Sequence, residues 1–302
     1  MKLSVVIPVY HEPEKTILRA VNSIKQQNHY RPEDVEIIVA LDEPDRTLSI
    51  EGVKVVPTAA NTGPGMARQR GEEAASSDYV SFLDADDIWY NLLALDMIVR
   101  DMENEPDYIK FPILEEQENG VVPLGLDATW CFSKVYRRAF LKEHDIAFVP
   151  EYRVHEDSYY VRLFEMYGPK TIEHGDMIYL WSNNPNSTVR ANDGVYWQTS
   201  FPTYLDVIYR LAAHKGKIGL DNKGDYIYNF CFAYANISRM NEENADRSIK
   251  QLRKYVDAQD VAMLRLFMGD IAQHLRNMES IRNIPVIIPK FSFEEFIKKV
   301  VA

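Results

Sequence analysis

The sequence predicts an α/β fold, a mostly parallel sheet with helices on both faces, followed by a helical extension. Three observations predict it. Apolar runs at Leu3–Val9, Val35–Leu41, Val53–Val56 and Tyr79–Leu83 are continuous rather than alternating, the pattern of strands covered on both sides. Helical stretches lie between them, so consecutive strands are joined by crossovers and run largely parallel. Beyond residue 198 helical periodicity dominates.

Each element has a local reason. Ile17, Leu18, Val21 and Ile24 recur at helical spacing, with Pro13 where a first turn tolerates it. Asn61-Thr62-Gly63-Pro64-Gly65 is a turn that opens a helix through Ala67, Arg68 and Gly71. Tyr108–Leu114 reads as a strand, Glu115–Gly120 as a polar turn and Val121–Leu124 as its return. Arg137–His144 and the stretch after Asp157 read as helices, and Asp176–Trp181 as a strand. Near the end, Ile249, Leu252, Val256, Leu264, Phe267, Ile271, Leu275 and Met278 nearly hold one face until Pro285 and Pro289. Ser292 with Glu295 then forms a capping box. The expected division is an α/β domain at 1–198, with halves 1–106 and 107–198, and a helical extension at 199–302.

Composition narrows the function. The 302 residues are 46% hydrophobic and 26% charged, enough apolar material for a large core and unlike a disordered tail or a fibre. Forty-five acidic residues against 34 basic ones leave a net charge of −11, which disfavours bulk neutralisation of nucleic-acid phosphates. Cys131 and Cys231 are the two cysteines, so neither a disulfide framework nor a Cys-rich zinc site is encoded. The apolar run before Pro8 is too short for a signal peptide, and no stretch reaches the roughly 18–20 apolar residues of a membrane span. These features together read as a soluble, cytoplasmic protein. Asn186-Ser187-Thr188 and Asn236-Ile237-Ser238 match the glycosylation acceptor pattern and are read as chance matches.

In open α/β sheets ligands bind beyond the carboxyl ends of the strands. Pro8-Val9-Tyr10, Asp42, the Gly63–Arg68 turn and Asp84-Ala85-Asp86-Asp87 all fall there. Two carboxylates spaced i, i+2 after a strand can turn toward one divalent cation, a hard ion that prefers oxygen. Such a cation keeps open positions for diphosphate oxygens. The bland alternative is a solvated turn with Asp87 as a helix N-cap; the position just after Val80-Ser81-Phe82-Leu83 weighs against it. No Gly-x-Ser-x-Gly occurs, and the seven histidines lack zinc-ligand spacing.

Taken together and in order, Ser4-Val5-Val6-Ile7-Pro8-Val9-Tyr10, Asp42 after Glu36-Ile37-Ile38-Val39, Asn61-Thr62-Gly63 leading to Ala67-Arg68, and Phe82-Leu83-Asp84-Ala85-Asp86-Asp87 resemble a family 2 glycosyltransferase. The likeness continues through Lys134–Arg138 to His155-Glu156-Asp157-Ser158 and so covers roughly the first 190 residues. It implies a GT-A fold, with 1–106 binding a nucleotide-sugar and 107–198 forming the acceptor side. It also implies inverting transfer from a nucleotide-sugar, a UDP-sugar, to an acceptor hydroxyl, with Mn²⁺ or Mg²⁺ as cofactor.

Position by position, the resemblance places Pro8, Val9 and Tyr10 around the base and ribose, with Glu12 where an acidic residue often follows. Asp42 matches the aspartate that hydrogen-bonds uracil, and Arg68 the arginine near donor phosphates or sugar. Asp84, with Ala85 beside it, would hold ribose or donor sugar; Asp86, together with Asp84, would ligate the metal; Asp157 would be the catalytic base. Glu156, Trp130, Trp181, Asn183 and Ser187 complete the set as acceptor or diphosphate contacts. Trp197 is an aromatic of the same kind; core packing is the favoured reading for any one of the three tryptophans taken singly, as a surface position is for His155.

Some positions depart from the family pattern. Leu41 replaces the first aspartate of the usual pair, Glu43-Pro44 replaces small residues, and Ser182-Asn183-Asn184 stands where many relatives carry Arg or His. Diphosphate charge would then be met by the cation and Arg68. Neither a Gln-x-x-Arg-Trp sequence nor a membrane span marks a processive synthase. A glycan, a lipid-linked sugar, a protein and a modified base all stay open as acceptors, and the extension would shape the acceptor site or form a homodimer. Two other readings stand beside the transferase: a nucleotidyltransferase-like enzyme on a related fold, and a non-catalytic nucleotide-sugar-binding module.

Overall fold

The computed structural model describes residues 2–184, 187, 195–256, 290 and 292–301. The chain forms two compact units, Met1–Asn186 and Ser187–Ala302. The expected division at 198/199 would fall inside a helix that starts at Val195.

The first unit is built on a seven-stranded sheet. Strands β1 (Leu3–Val9), β2 (Val35–Leu41), β3 (Lys54–Val56) and β4 (Tyr79–Phe82) occupy the positions that the apolar runs predict. β1 pairs in parallel with β2 from Leu3↔Val35 to Val9↔Leu41, and with β4 from Leu3↔Tyr79 to Val6↔Phe82. A two-residue β5 (Ile88–Trp89) follows β4. The strand read over Tyr108–Leu114 is two strands, β6 (Tyr108–Lys110) and β7 (Ile113–Gln117). Pro112, which has no N–H for a ladder, lies in the break between them. β8 (Gly120–Leu124) is the hairpin return of β7.

A strand that the sequence reading did not assign stands just ahead of the stretch read as helical. β9 (Lys134–Arg137) inserts antiparallel between β4 and β6 before helix α4 (Arg138–Glu143) begins. β10 (Thr171–Glu173) closes the far edge, giving the order β10-β6-β9-β4-β1-β2-β3. Residues before and after 107 therefore share one sheet. β11 (Tyr179–Trp181) belongs to a second sheet, ordered β5-β11-β7-β8.

Strand parity sorts the core onto two faces. Leu3, Val5, Ile7 and Val9 pack with Ile17, Ala20, Val21 and Ile24 of α1 (Glu14–Lys25). Ala94, Leu95, Ile98 and Met102 of α3 (Ala94–Met102) join the same cluster. The opposite face meets α2 (Pro64–Ala74), and Phe82, Tyr136, Phe148, Tyr160 and Phe164 interlock as rings, Phe148 stacking on Tyr160 at 4.1 Å. Tyr160 and Phe164 come from α5 (Glu156–Met166). α2 lies so close to β1 that a Cβ at Gly71 would stand 2.3 Å from Val6 Cγ1.

The second unit is helical, as expected. α6 (Val195–Lys217), α7 (Lys223–Ile237), α8 (Glu242–Leu252) and a helix at Phe293–Val301 surround Phe201, Leu205, Phe230, Ile237, Leu252 and Phe296. Trp197 packs on this core and donates from Nε1 to Asn236 Oδ1 at 3.0 Å. Asn236 is thus engaged inside a helix, which suits its reading as a chance acceptor match. Ser292 and Glu295 form the reciprocal capping box, with Ser292 N to Glu295 Oε2 at 2.6 Å and Glu295 N to Ser292 Oγ at 3.2 Å. The expected apolar positions from Leu264 to Met278, Pro285 and Pro289 lie outside the described residues. Among the described residues no helix is long and apolar enough to cross a membrane.

Gly71→Ala tests the close approach of α2 to β1. An alanine inside a helix ordinarily stabilises by about 0.5–1 kcal/mol. Here overpacking against Val6 should instead destabilise by about 1–3 kcal/mol in denaturant unfolding. A stabilised Gly71→Ala would contradict the packing.

Candidate active site

The site assembles at the carboxyl ends of β1, β2 and β4. Asp42, next after β2, is buried, and its backbone N–H donates to Val9 O at 2.8 Å. Its carboxylate holds the turn before α2. Oδ1 accepts from Thr62 Oγ1 at 2.9 Å and from Arg70 Nη2 at 2.7 Å; Oδ2 accepts from Thr62 N at 3.1 Å and from Gly63 N at 2.8 Å. Gly63, at φ +89°, supplies the backbone conformation from which Pro64 starts the helix. Asp42, the residue expected at uracil, thus has four donors within the protein.

The Asp84–Asp87 turn hangs between the two sheets. Leu83 N still bonds Val6 O at 3.0 Å, and Asp87 N closes the turn on Asp84 O at 3.0 Å. Asp87 is fully buried rather than a solvated N-cap. It accepts from Tyr179 Oη and, at 2.7 Å, from Ser182 N. Burial, with the charges of Asp84 and Asp86, raises its carboxyl well above the usual range. Asp86 accepts from Asn184 Nδ2 at 2.7 Å and is raised by burial. Arg19 of α1 donates to Asp86 O and, at 3.0 Å, to Ser182 Oγ.

Arg68 joins this turn to α5. Its guanidinium, 7% exposed, donates to Asp84 Oδ1 at 2.7 Å and to Glu156 Oε1 at 2.9 Å. Its charge therefore serves two carboxylates. Glu156 and Asp157 occupy the first turn of α5, where the helix dipole favours negative charge. The residue before them, His155, takes a left-handed conformation at φ +62°. His155 is half-buried, not a surface residue, and burial lowers its pKa to about 4, so it is neutral at pH 7. Burial raises Asp157 to about 8, with the neighbouring charge of Glu156 adding to the rise and Arg68 opposing it. Glu12 is likewise raised to about 7, chiefly by burial.

The remaining expected residues divide clearly. Val9 and Ala85 have their side chains in the apolar core, so they offer only backbone to a cleft. Pro8 is half-buried and Tyr10 is 48% exposed, its ring 4.0 Å from that of His11. Trp130 and Trp181 are half-buried and lie 5.4 Å apart as rings. Phe132 stacks on Trp130 at 5.9 Å and on Tyr179 at 4.5 Å, so this aromatic group reaches the acidic turn through Tyr179. Asn183 is exposed and donates its N–H to Glu116 Oε2 at 2.9 Å, whereas Asn184 contacts Asp86. Ser187 belongs to the second unit. Sequence reasoning missed Arg19, Tyr179, Ser182 and Asn184 as partners of the acidic turn; only the departure at Ser182-Asn183-Asn184 gave a signal.

Among the described residues no group of three or more His, Cys, Asp or Glu is placed to enclose a metal ion. The acidic turn fits an open metal position instead. Asp86 is half-buried with one side-chain donor on its carboxylate, and Asp84, at 26% side-chain exposure, lies two residues away. Oxygen donors of this kind suit Mn²⁺ or Mg²⁺, with the other positions left to water and substrate.

Comparison with known proteins bears on the fold. The model of Glycosyl transferase family 2 matches residues 4–151. Poly(ribitol-phosphate) beta-N-acetylglucosaminyltransferase TarS of Staphylococcus aureus is 28% identical over 285 residues, covering 85% of this chain and 48% of that protein. The chain thus spans about half the length of that relative. Succinoglycan biosynthesis protein ExoW of Rhizobium meliloti is 35% identical over 99 residues, 29% of this chain and 30% of its own. Among solved structures, S. aureus TarS 1-349 in complex with UDP-GlcNAc superposes with a TM-score of 0.67 at 21% identity, covering 84% of this chain and 80% of that one. The mannosyltransferase PcManGT from Pyrobaculum calidifontis, in complex with GDP-Man and Mn²⁺, gives 0.53 at 12% identity over 99% of this chain and 85% of that one. The fold is therefore the GT-A type.

Arg68→Ala should leave Asp84 and Glu156 without their shared cation. Breaking a buried pair costs about 3–5 kcal/mol, so the variant's Tm should fall steeply. A Tm equal to that of the unaltered protein would remove Arg68 from this bridging role.

Proposed function

We infer the reaction from one premise: the chain belongs to glycosyl transferase family 2, whose model covers residues 4–151. It transfers a sugar from a UDP-sugar to an acceptor hydroxyl with inversion at the anomeric carbon. The observation that carries this reading is the Arg68 bridge. It fixes the metal-side carboxylate Asp84 and Glu156, the neighbour of Asp157, on one guanidinium. Donor-side and acceptor-side carboxylates are thereby held in one constellation.

The acceptor oxygen attacks the anomeric carbon, the bond from that carbon to the diphosphate breaks, and UDP leaves. Asp157 takes the acceptor proton. A carboxylate that burial raises to about 8 is a stronger base than one in water, suited to a hydroxyl that loses its proton as it attacks. Tyr10 offers a ring to the base of the nucleotide, and Trp130 and Trp181 offer aromatic faces to sugars on the acceptor side. A divalent cation held by Asp86 and Asp84 would neutralise the charge developing on the diphosphate.

The relatives support the donor class. TarS has been crystallised with UDP-GlcNAc and with UDP, and PcManGT with GDP-Man and Mn²⁺. UDP-GlcNAc is accordingly the first donor to test, and a poly(ribitol phosphate) chain the first acceptor. Both cysteines are free and buried, in keeping with a reducing, cytoplasmic setting.

Release of UDP, followed with and without acceptor in Mn²⁺, tests the reading. Asp86→Ala should abolish release. Asp157→Asn should keep UDP affinity and lose transfer by at least about 100-fold, the scale of a general base. The sign of the pH dependence follows from the raised pKa. Only ionised Asp157 accepts a proton, so kcat/KM should climb about tenfold per unit from pH 6 and level off near pH 8. Full transfer by Asp157→Asn, or turnover of another nucleotide-sugar in place of every UDP-sugar, would refute the assignment concerned.

A further inference from the structure

The sequence departs from the family pattern at Glu43-Pro44, and nothing in the reaction above uses those residues. The structure shows what they hold. Glu43 Oε1 accepts from His11 N at 2.8 Å and from Arg46 Nη1 at 2.7 Å, while Oε2 lies 2.7 Å from His11 Nδ1. Arg46 Nη2 donates to Glu12 O at 2.7 Å, and Glu12 Oε2 accepts from Tyr10 N at 2.6 Å. Every residue of the Tyr10-His11-Glu12 turn is therefore gripped, directly or through one intermediate, from the loop that follows β2.

The grip has a physical reason to exist. His11 sits at φ +66°, a left-handed conformation that crowds the Cβ of any residue but glycine. Such a conformation persists only where surrounding contacts over-determine it. Glu43, 15% exposed, and Arg46, 22% exposed, supply those contacts, although His11 itself is 68% exposed. The result is that Tyr10, half out in solvent, has its ring set against His11 at 4.0 Å.

Position 42 does the complementary task. Asp42 grips Thr62 and Gly63, and its neighbour Glu43 grips His11. Two consecutive carboxylates at the end of β2 thus clamp two different loops, the two that flank the proposed nucleoside site.

We propose that Glu43, assisted by Arg46, is a positioning residue for the nucleoside end of the donor, holding the Tyr10–Glu12 turn so that the Tyr10 ring is a ready face for the base. This rests on the UDP-sugar reading. Glu43 acts through the turn rather than on the reacting atoms, so its loss weakens donor binding and leaves the chemical step alone.

Binding of UMP and UDP in Mn²⁺ by calorimetry, with donor KM and kcat for each variant, tests the proposal. Glu43→Ala should raise the Kd of both nucleotides and the donor KM by about tenfold while kcat stays within about twofold. Glu43→Gln keeps an oxygen that can accept from His11 N, and should recover much of that loss. Arg46→Ala should shift Kd and KM the same way to a smaller degree, and it keeps the test alive if Glu43→Ala fails to fold. A fall in kcat with KM unchanged, an unaltered Kd in both alanine variants, or no recovery in Glu43→Gln would overturn the proposal. The wild-type titration comes first and is separate: a wild type that binds neither UMP nor UDP overturns the donor reading itself, and this inference with it.

Discussion

A guanidinium with 7% of its surface exposed can remain in a protein only if its charge is met where it sits, and Arg68 meets two carboxylates at once. The rest of the site is arranged around that need. Glu156 must come within reach of α2, and it does so because position 65 has no side chain: a Cβ there would lie 2.9 Å from Glu156 Cγ. Gly65 is thus required by its neighbour rather than by its own backbone. Once Glu156 is fixed, Asp157 lies beside it at the start of α5, and the proximity of the two carboxyls contributes to the raised pKa of Asp157. The ion pair that holds the fold at this point therefore also acts on the proposed base, which burial raises first, with Glu156 adding to the rise and Arg68 opposing it.

The acidic turn depends on a second, independent support. Asp87 cannot be reached by solvent, so Tyr179 and Ser182 give it the hydrogen bonds that water would otherwise provide. Because Tyr179 and Ser182 lie in and just after β11, the turn is anchored to the smaller sheet while β4 feeds it from the larger one. The inner carboxylate serves the fold, while Asp84, paired with Arg68, and Asp86, bonded by Asn184, stay partly exposed.

How much of this was legible in the sequence follows from the range of each interaction. β1 and β2 read correctly because both of their faces are buried, so an unbroken apolar run marks the whole strand. β9 did not, since Lys134 brings a charge into the sheet. Its ammonium is buried, satisfied by Asp127 at 3.1 Å and Trp130 O at 2.6 Å, and no periodicity announces such a satisfied charge. The strand ends that carry the site were visible for the same reason that β1 and β2 were. Their partners were not: Arg68 meets Glu156 across 88 residues, and Tyr179 meets Asp87 across 92. A single sequence reports which positions are buried and which motifs stand in order. It does not report which distant carboxylate a buried arginine will choose, so the bridge from Arg68 to Asp84 and Glu156 was not legible in it.

The acidic surplus of the chain takes on a local meaning here. Glu12, Asp86 and Asp87 are all raised above the usual carboxylate range, in each case first by burial. The charges of Asp84 and Asp86 add to the rise in Glu12, and the same two add to it in Asp87. Like charges held this close resist ionising together, and an opposite charge among them reverses the effect. Arg68 is committed to Asp84 and Glu156, and Arg19 donates to a backbone oxygen and a hydroxyl rather than to a carboxylate. Arg19 offsets part of this crowding, since its charge lowers Asp86, yet burial still leaves that carboxyl raised.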